Sequence, residues 1–152
     1  MAECKNIMVY VETAEGNPVK VGLEMLSPAK KLADKVTAVV IGGGVADAAK
    51  EVAKAGADQV ICVDSEDYKE FNLDAYAQVL VELVKEENPE AVFVGGTQDG
   101  KDIAPVVAAK CNTGCASDVL DIKAEDGEVI YTCPLYGGTV LEDVKIKTTP
   151  QI

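Results

Sequence analysis

Residues 71–110 read FNLDAYAQVLVELVKEENPEAVFVGGTQDGKDIAPVVAAK, and the order of patterns within them decides the fold. Across Leu73–Glu87, Tyr76, Leu80, Leu83 and Val84 recur at helical spacing and share one face. Asn88 precedes Pro89, whose ring disfavours helical backbone at the residue before it, so the helix is predicted to end there. Ala91–Val94 is short and wholly apolar, the composition of a strand buried on both faces, as in a parallel sheet. The loop Gly95-Gly96-Thr97-Gln98-Asp99-Gly100 then leads into a further helix predicted over Lys101–Lys110, with Pro105 in its first turn or kinking it.

The same alternation extends outward. Ile7–Val11, Val36–Ile41 and Gln59–Val63 are further short, β-branched apolar runs. Ser27 and Pro28 can serve as N-cap and first residue of a helix, although a start near Val21 with a kink at Pro28 suits the pattern equally. Val45–Ala55 is a good helix former that stops at Gly56. Strand and helix in this order predict an α/β fold, a doubly wound and mostly parallel sheet. The tail differs: Ala116–Ile122, Val129–Thr132 and Val140–Lys147 are strand-like, joined by Asp126-Gly127 and Gly137-Gly138 turns. They predict a short antiparallel extension on one sheet edge at the C-terminal end. With no repeat and no low-complexity linker, residues 1–152 read as a single domain.

Composition narrows the functions. A net charge of −12 repels nucleic acid and anionic membranes, so neither is an expected partner. The chain has no His, which removes the commonest general base and zinc ligand. Hydrolytic triads and metal sites are therefore not expected. The opening MAECKNIMVYVE lacks a signal-peptide apolar region, and the expected location is cytoplasmic. Five cysteines, an odd count, favour free thiols over a disulfide framework. Cys111 and Cys115 lie four apart, which is neither CxxC nor a zinc spacing.

Ligands of open α/β sheets lie beyond the carboxyl ends of the strands, where strand order reverses. Three loops fall at such ends: Glu12–Pro18, Gly42–Gly44 and Gly95–Gly100. In the third, glycines let amides approach an anion, Thr97 offers a hydroxyl, and a helix N-terminus follows. It is neither a Walker loop nor GxGxxG, and spacing alone leaves a nucleotide site and a plain connecting turn equally open. Gly42–Gly44 is better explained by tight packing. Asp118 and Asp121 would point to opposite faces of a strand, which disfavours a catalytic pair.

Taken together these segments resemble the N-terminal domain of the electron-transferring flavoprotein alpha subunit. IMVYVETAEGNPVKVGLEMLSPAKKLAD resembles that family's first strand, hairpin and helix, and AAKEVAKAGADQVICVD its entry into strand three. Gly95-Gly96-Thr97-Gln98-Asp99-Gly100-Lys101-Asp102-Ile103-Ala104-Pro105 is similar to its Gly-x-Thr-x-x-Gly-Arg/Lys-Asp-Leu/Ile-Ala-Pro element. SDVLDIKAEDGEVIYTCPLYGGTV resembles the tail that follows. The resemblance covers essentially the whole chain and implies a Rossmann-like, adenine-nucleotide-binding architecture.

It further implies an electron carrier with no catalytic residues here, a scaffold within an alpha/beta heterodimer served by flavin dehydrogenases. FAD is expected in the complete heterodimer, mainly in the alpha subunit's C-terminal domain, and AMP or a second FAD in the beta subunit. This chain is expected to bind none by itself. Its candidate cofactor-contacting residues are Gly95, Gly96, Thr97, Gly100, Lys101 and Asp102. Cys133 stands where the family usually has Arg, and Thr139 where it usually has Asn. Thr149–Ile152 falls about where the family enters its last strand of this domain, so a truncation before the FAD domain is expected, with self-association of the exposed surface. The alternatives are a stand-alone adenine-nucleotide module of universal-stress-protein type, and a thiol oxidoreductase using Cys111 and Cys115.

Overall fold

The computed structural model describes residues 4–152. In chain order the elements are β1 (Cys4–Tyr10), a hairpin of β2 (Thr13–Ala14) and β3 (Asn17–Pro18), α1 (Lys20–Leu32), β4 (Ala33–Gly42), α2 (Ala46–Lys54), β5 (Gln59–Asp64), α3 (Leu73–Glu87), β6 (Ala91–Val94) and α4 (Gln98–Lys110). Then follow β7 (Asp121–Glu125), β8 (Glu128–Leu135) and β9 (Val140–Val144). Among the described residues the central sheet is parallel, in the order β5-β4-β1-β6.

Alternation along the strands separates two cores, because successive side chains leave a strand on opposite faces. Ile7, Val9 and Val11 join Leu26 and Ala29 of α1 and Ala48 and Val52 of α2. Met8 and Tyr10 join Tyr76 and Leu80 of α3 and Ile103 and Val107 of α4. The sheet is thus doubly wound, with helices on both faces. Each fully buried aliphatic side chain contributes about 1.5–3 kcal/mol, so this two-sided burial holds the layers together. No described helix is long and apolar enough to cross a membrane.

Several boundaries differ from the sequence expectations. α1 takes the earlier start and carries Pro28 in its interior. Burial of Leu26, Ala29 and Leu32 against the sheet offsets the hydrogen bond the proline removes. α4 begins at Gln98 rather than Lys101, because the Thr97 side chain accepts the Gly100 N–H and caps the helix one turn earlier. α3 ends at Glu87 as expected, and Asn88 closes it in a left-handed conformation.

The tail holds the larger difference. The strand expected over Ala116–Ile122 begins only at Asp121, since Asp118 has φ 53°, a backbone that no strand accommodates. The antiparallel strands are present, but β7-β8-β9 is a sheet of its own and does not lie along an edge of the parallel sheet. Val129, Tyr131 and Cys133 of β8 face the core beneath α1 and α2, which holds this sheet over one layer. The outer edge of β6 is met instead by Gln151, paired parallel with Ala91.

Candidate functional site

β4 and β5 lie on one side of β1 and β6 on the other, so strand order reverses between β1 and β6. That crevice is where an open α/β sheet takes its ligands. β1 runs on into Glu12, and β6 into Gly95. Between them Glu12 Oε1 accepts the Thr97 hydroxyl at 2.5 Å, and Thr97 Oγ1 accepts the Gly100 N–H at 2.9 Å. One threonine therefore ties the end of β1 to the first turn of α4. Gly100 is confined there: a Cβ would fall 1.8 Å from the Gly95 carbonyl oxygen and 3.0 Å from Glu12 Oε1.

Burial raises the Glu12 carboxyl above the usual carboxylate range, and the charge of Asp99 pushes the same way against the Thr97 hydrogen bond. The sign of the pH effect follows. A carboxyl whose pKa is higher folded than unfolded stabilises the fold below its unfolded value, and that stability is lost as pH rises through the folded value. Glu12→Gln keeps an acceptor for Thr97 without the charge. The variant should be the more stable protein at neutral pH and converge with the parent below about pH 4. Urea unfolding at both pH values checks this, and a gap that widens on acidification would refute it.

The structure brings Thr97 and Gly100 together with Glu12, but not the other candidates. Lys101 turns away to Asp118, 2.7 Å distant, and Asp102 is exposed on α4. Gly95 and Gly96 line a separate, mainly apolar cavity of about 620 Å³ beside the edge of β6. At the second loop a Cβ on Gly42 would meet Val45 at 2.6 Å, and the Gly44 N–H is taken by Asp64 at 2.7 Å. Packing and an internal carboxylate account for that turn. Glu12 and Asp99 lie in two of the loops that the sequence offered as ligand sites, but neither they nor Tyr10 carried a role there. An acid immediately after the first strand was the available signal for Glu12.

The remaining sequence candidates do not form a centre. Asp118 sits in a loop bound to Lys101, and Asp121 opens β7 exposed to solvent. Among the described residues no three His, Cys, Asp or Glu side chains are grouped to hold a metal. Burial pushes both the Cys111 and Cys115 thiols up, with Lys85 lowering Cys111 and a Ser117 hydrogen bond lowering Cys115. A redox thiolate needs the opposite direction. Cys133, where an arginine was expected, is buried on β8, and burial followed by Glu142 and Asp118 raises it too.

Comparison with known proteins places this geometry in a lineage. Residues 7–152 match the electron transfer flavoprotein domain. The chain is 36% identical over 150 residues to Protein FixB of Clostridium saccharobutylicum, covering 95% of this chain and 45% of that protein. It is 38% identical over 142 residues to the electron transfer flavoprotein subunit alpha of Syntrophomonas wolfei, covering 93% and 45% respectively. It is also 38% identical over 168 residues to the acryloyl-CoA reductase electron transfer subunit beta of Anaerotignum propionicum, covering 92% and 46%. The chain spans about half the length of the curated relatives it matches. Since the domain match begins within β1 and runs to the final residue, the chain belongs to the electron transfer flavoprotein domain family.

Proposed function

We propose that this chain is the N-terminal scaffold of an electron transfer flavoprotein alpha subunit, a partner-binding domain that carries no nucleotide of its own. The observation that carries the reading is the Glu12 carboxylate at the strand-order reversal. A nucleotide phosphate arriving there would meet a carboxylate, with Asp99 beside it, in place of open amides and a cation. FAD in the complete heterodimer then belongs to the remainder of the alpha subunit, and AMP or FAD to the beta subunit. Electrons reach the assembly from flavin dehydrogenases, and this domain catalyses no bond chemistry. Gly95, Gly96, Thr97, Gly100, Lys101 and Asp102 keep a cofactor-facing role in this proposal. Thr97 and Gly100 hold the β6–α4 turn in shape, and the turn and the start of α4 face a cofactor carried by another domain.

The surface supports a partner. Leu120, Tyr136, Val140 and Leu141 are exposed around the tip of the β8–β9 hairpin, with Tyr136 at 85% and Leu120 at 66%. Such a concentration of exposed apolar side chains marks a protein-binding surface more often than an idle one. In isolation the same tip is expected to drive self-association of the chain.

Calorimetry on the isolated chain, and chromatography with a beta subunit of the family, test the proposal. The chain alone should bind neither AMP nor ATP at micromolar concentrations, should carry no flavin absorbance, and should co-migrate with the beta subunit. One-to-one saturation by AMP or ATP would overturn the scaffold reading in favour of a stand-alone nucleotide module.

A further inference from the structure

Among the described residues, every large apolar side chain left exposed lies in one stretch of the tail: Leu120, Leu135, Tyr136, Val140 and Leu141. The register of the small sheet explains why. Tyr131 opposite Val144, Cys133 opposite Glu142 and Leu135 opposite Val140 leave the same face of β8 and β9. Tyr131 and Cys133 are buried in the core beneath, whereas Leu135 and Val140 project past its edge. Leu141 stands opposite Pro134 on the other face, so the hairpin tip is apolar on both sides.

The turn that closes this hairpin holds an aromatic ring in strained backbone. Tyr136, Gly137 and Gly138 have φ of 50°, 67° and 88°, all in the left-handed region. The other described non-glycine residues in that region are Asn, Asp or Glu, and a bulky aromatic there is an outlier. The Tyr136 carbonyl accepts the Thr139 hydroxyl at 2.9 Å and the Thr139 N–H at 3.4 Å, which fixes the turn. The ring is thus presented to solvent by a defined backbone that suits glycine or asparagine better. Strain of this kind concentrates where a ligand or partner makes use of it.

Charge selects the occupant. Asp121 follows Leu120 and Glu142 follows Leu141, and neither has an ion-pair partner among the described residues. The nearby Lys101 and Lys123 are already taken by Asp118 and Asp143. A second copy of the chain would bring the same carboxylates together at a net charge of −12, so it is the poorer fit. We propose that the β8–β9 turn is the anchor by which this domain holds its partner subunit. The Tyr136 ring enters an apolar pocket on that subunit, and arginine or lysine side chains on the pocket rim face Asp121 and Glu142. The proposal rests on the scaffold reading and names the surface through which it works. A rigid aromatic surrounded by lesser apolar contacts is the usual form of an interface hot spot, and Leu120, Leu135, Val140 and Leu141 supply that surround.

Interferometry of the 152-residue chain on an immobilised beta subunit of the family tests the proposal, with Tyr136→Asn beside the parent. Asparagine adopts left-handed backbone readily, so the variant keeps the turn and loses the ring. It should melt no lower than the parent, yet bind roughly tenfold more weakly or worse. Reversing both flanking charges, Asp121→Lys with Glu142→Lys, should slow association roughly tenfold at low salt, and added salt should shrink the difference. Equal affinity in a folded Tyr136→Asn protein would overturn the anchor and leave the scaffold reading in place. So would a Tyr136→Asn protein that loses only self-association, which would give the turn to a second copy. An association rate indifferent to the charge reversal would overturn the basic rim. A parent chain that fails to bind the beta subunit would overturn the scaffold reading itself, and the anchor with it.

Discussion

Replacing Gly100 with alanine is expected to remove about 3 kcal/mol of folding stability, a large share of the roughly 5–15 kcal/mol a domain holds in total. The added methyl would lie 1.8 Å from the Gly95 carbonyl oxygen and 3.0 Å from Glu12 Oε1. The nearer atom is backbone, so no rotamer change relieves the clash. α4 would have to move away from the end of β6, lengthening the Thr97 cap and the Thr97–Glu12 hydrogen bond together. Urea unfolding followed by circular dichroism would show a lower midpoint. A loss below about 0.5 kcal/mol, the scale of an ordinary surface change, would mean that the helix start is far softer than its packing implies.

Ile103→Ala should cost about 2–5 kcal/mol for a different reason. Ile103 is fully buried and lies in the core shared by β1, β6, α3 and α4. Truncation leaves a cavity between two secondary-structure layers whose other members are already fixed by their own contacts. The adjacent residue is an internal control: Asp102 is exposed, and Asp102→Ala should change stability by no more than about 0.5 kcal/mol. Thermal unfolding of the three variants side by side separates the mechanisms. If Ile103→Ala behaved like Asp102→Ala, α4 would not be docked as described.

These two variants fall at the end of the candidate loop and in the helix it opens, where neighbouring residues have distinct meanings. Gly100 is needed for close approach, and Thr97 is a cap that also binds Glu12. Lys101 serves an ion pair with Asp118 whose partners are both about half exposed, at 54% and 56%, and such a pair contributes little. A glycine-rich turn before a helix is thus compatible with an anion site, yet here the nearest anion is the chain's own.

Much of the fold was legible in the sequence, because local patterns carried it. Leu73–Glu87 and Ala91–Val94 stand where helical periodicity, the pre-proline position and a short apolar run placed them. Buried parallel strands must be apolar on both faces, and that requirement leaves runs such as Val36–Ile41 in plain view. The family resemblance likewise rested on the linear order of motifs. Boundaries were less legible where tertiary contacts outweighed local preference. Pro28 remains inside α1 because its neighbours bury against the sheet, and Asp118 breaks the expected strand with a left-handed backbone beside its partner Lys101.

The candidate site divides along the same line. Sequence alone determined that a glycine-rich turn follows the last parallel strand and opens a helix, since spacing and residue type are local properties. That Glu12, some 85 positions away, reaches that turn was decided by strand order, which sets β1 beside β6. The positions of Tyr76 and Asp99 beside Tyr10 are tertiary facts of the same kind. They depend on which strand ends the crossovers bring together, and no local pattern encodes that choice.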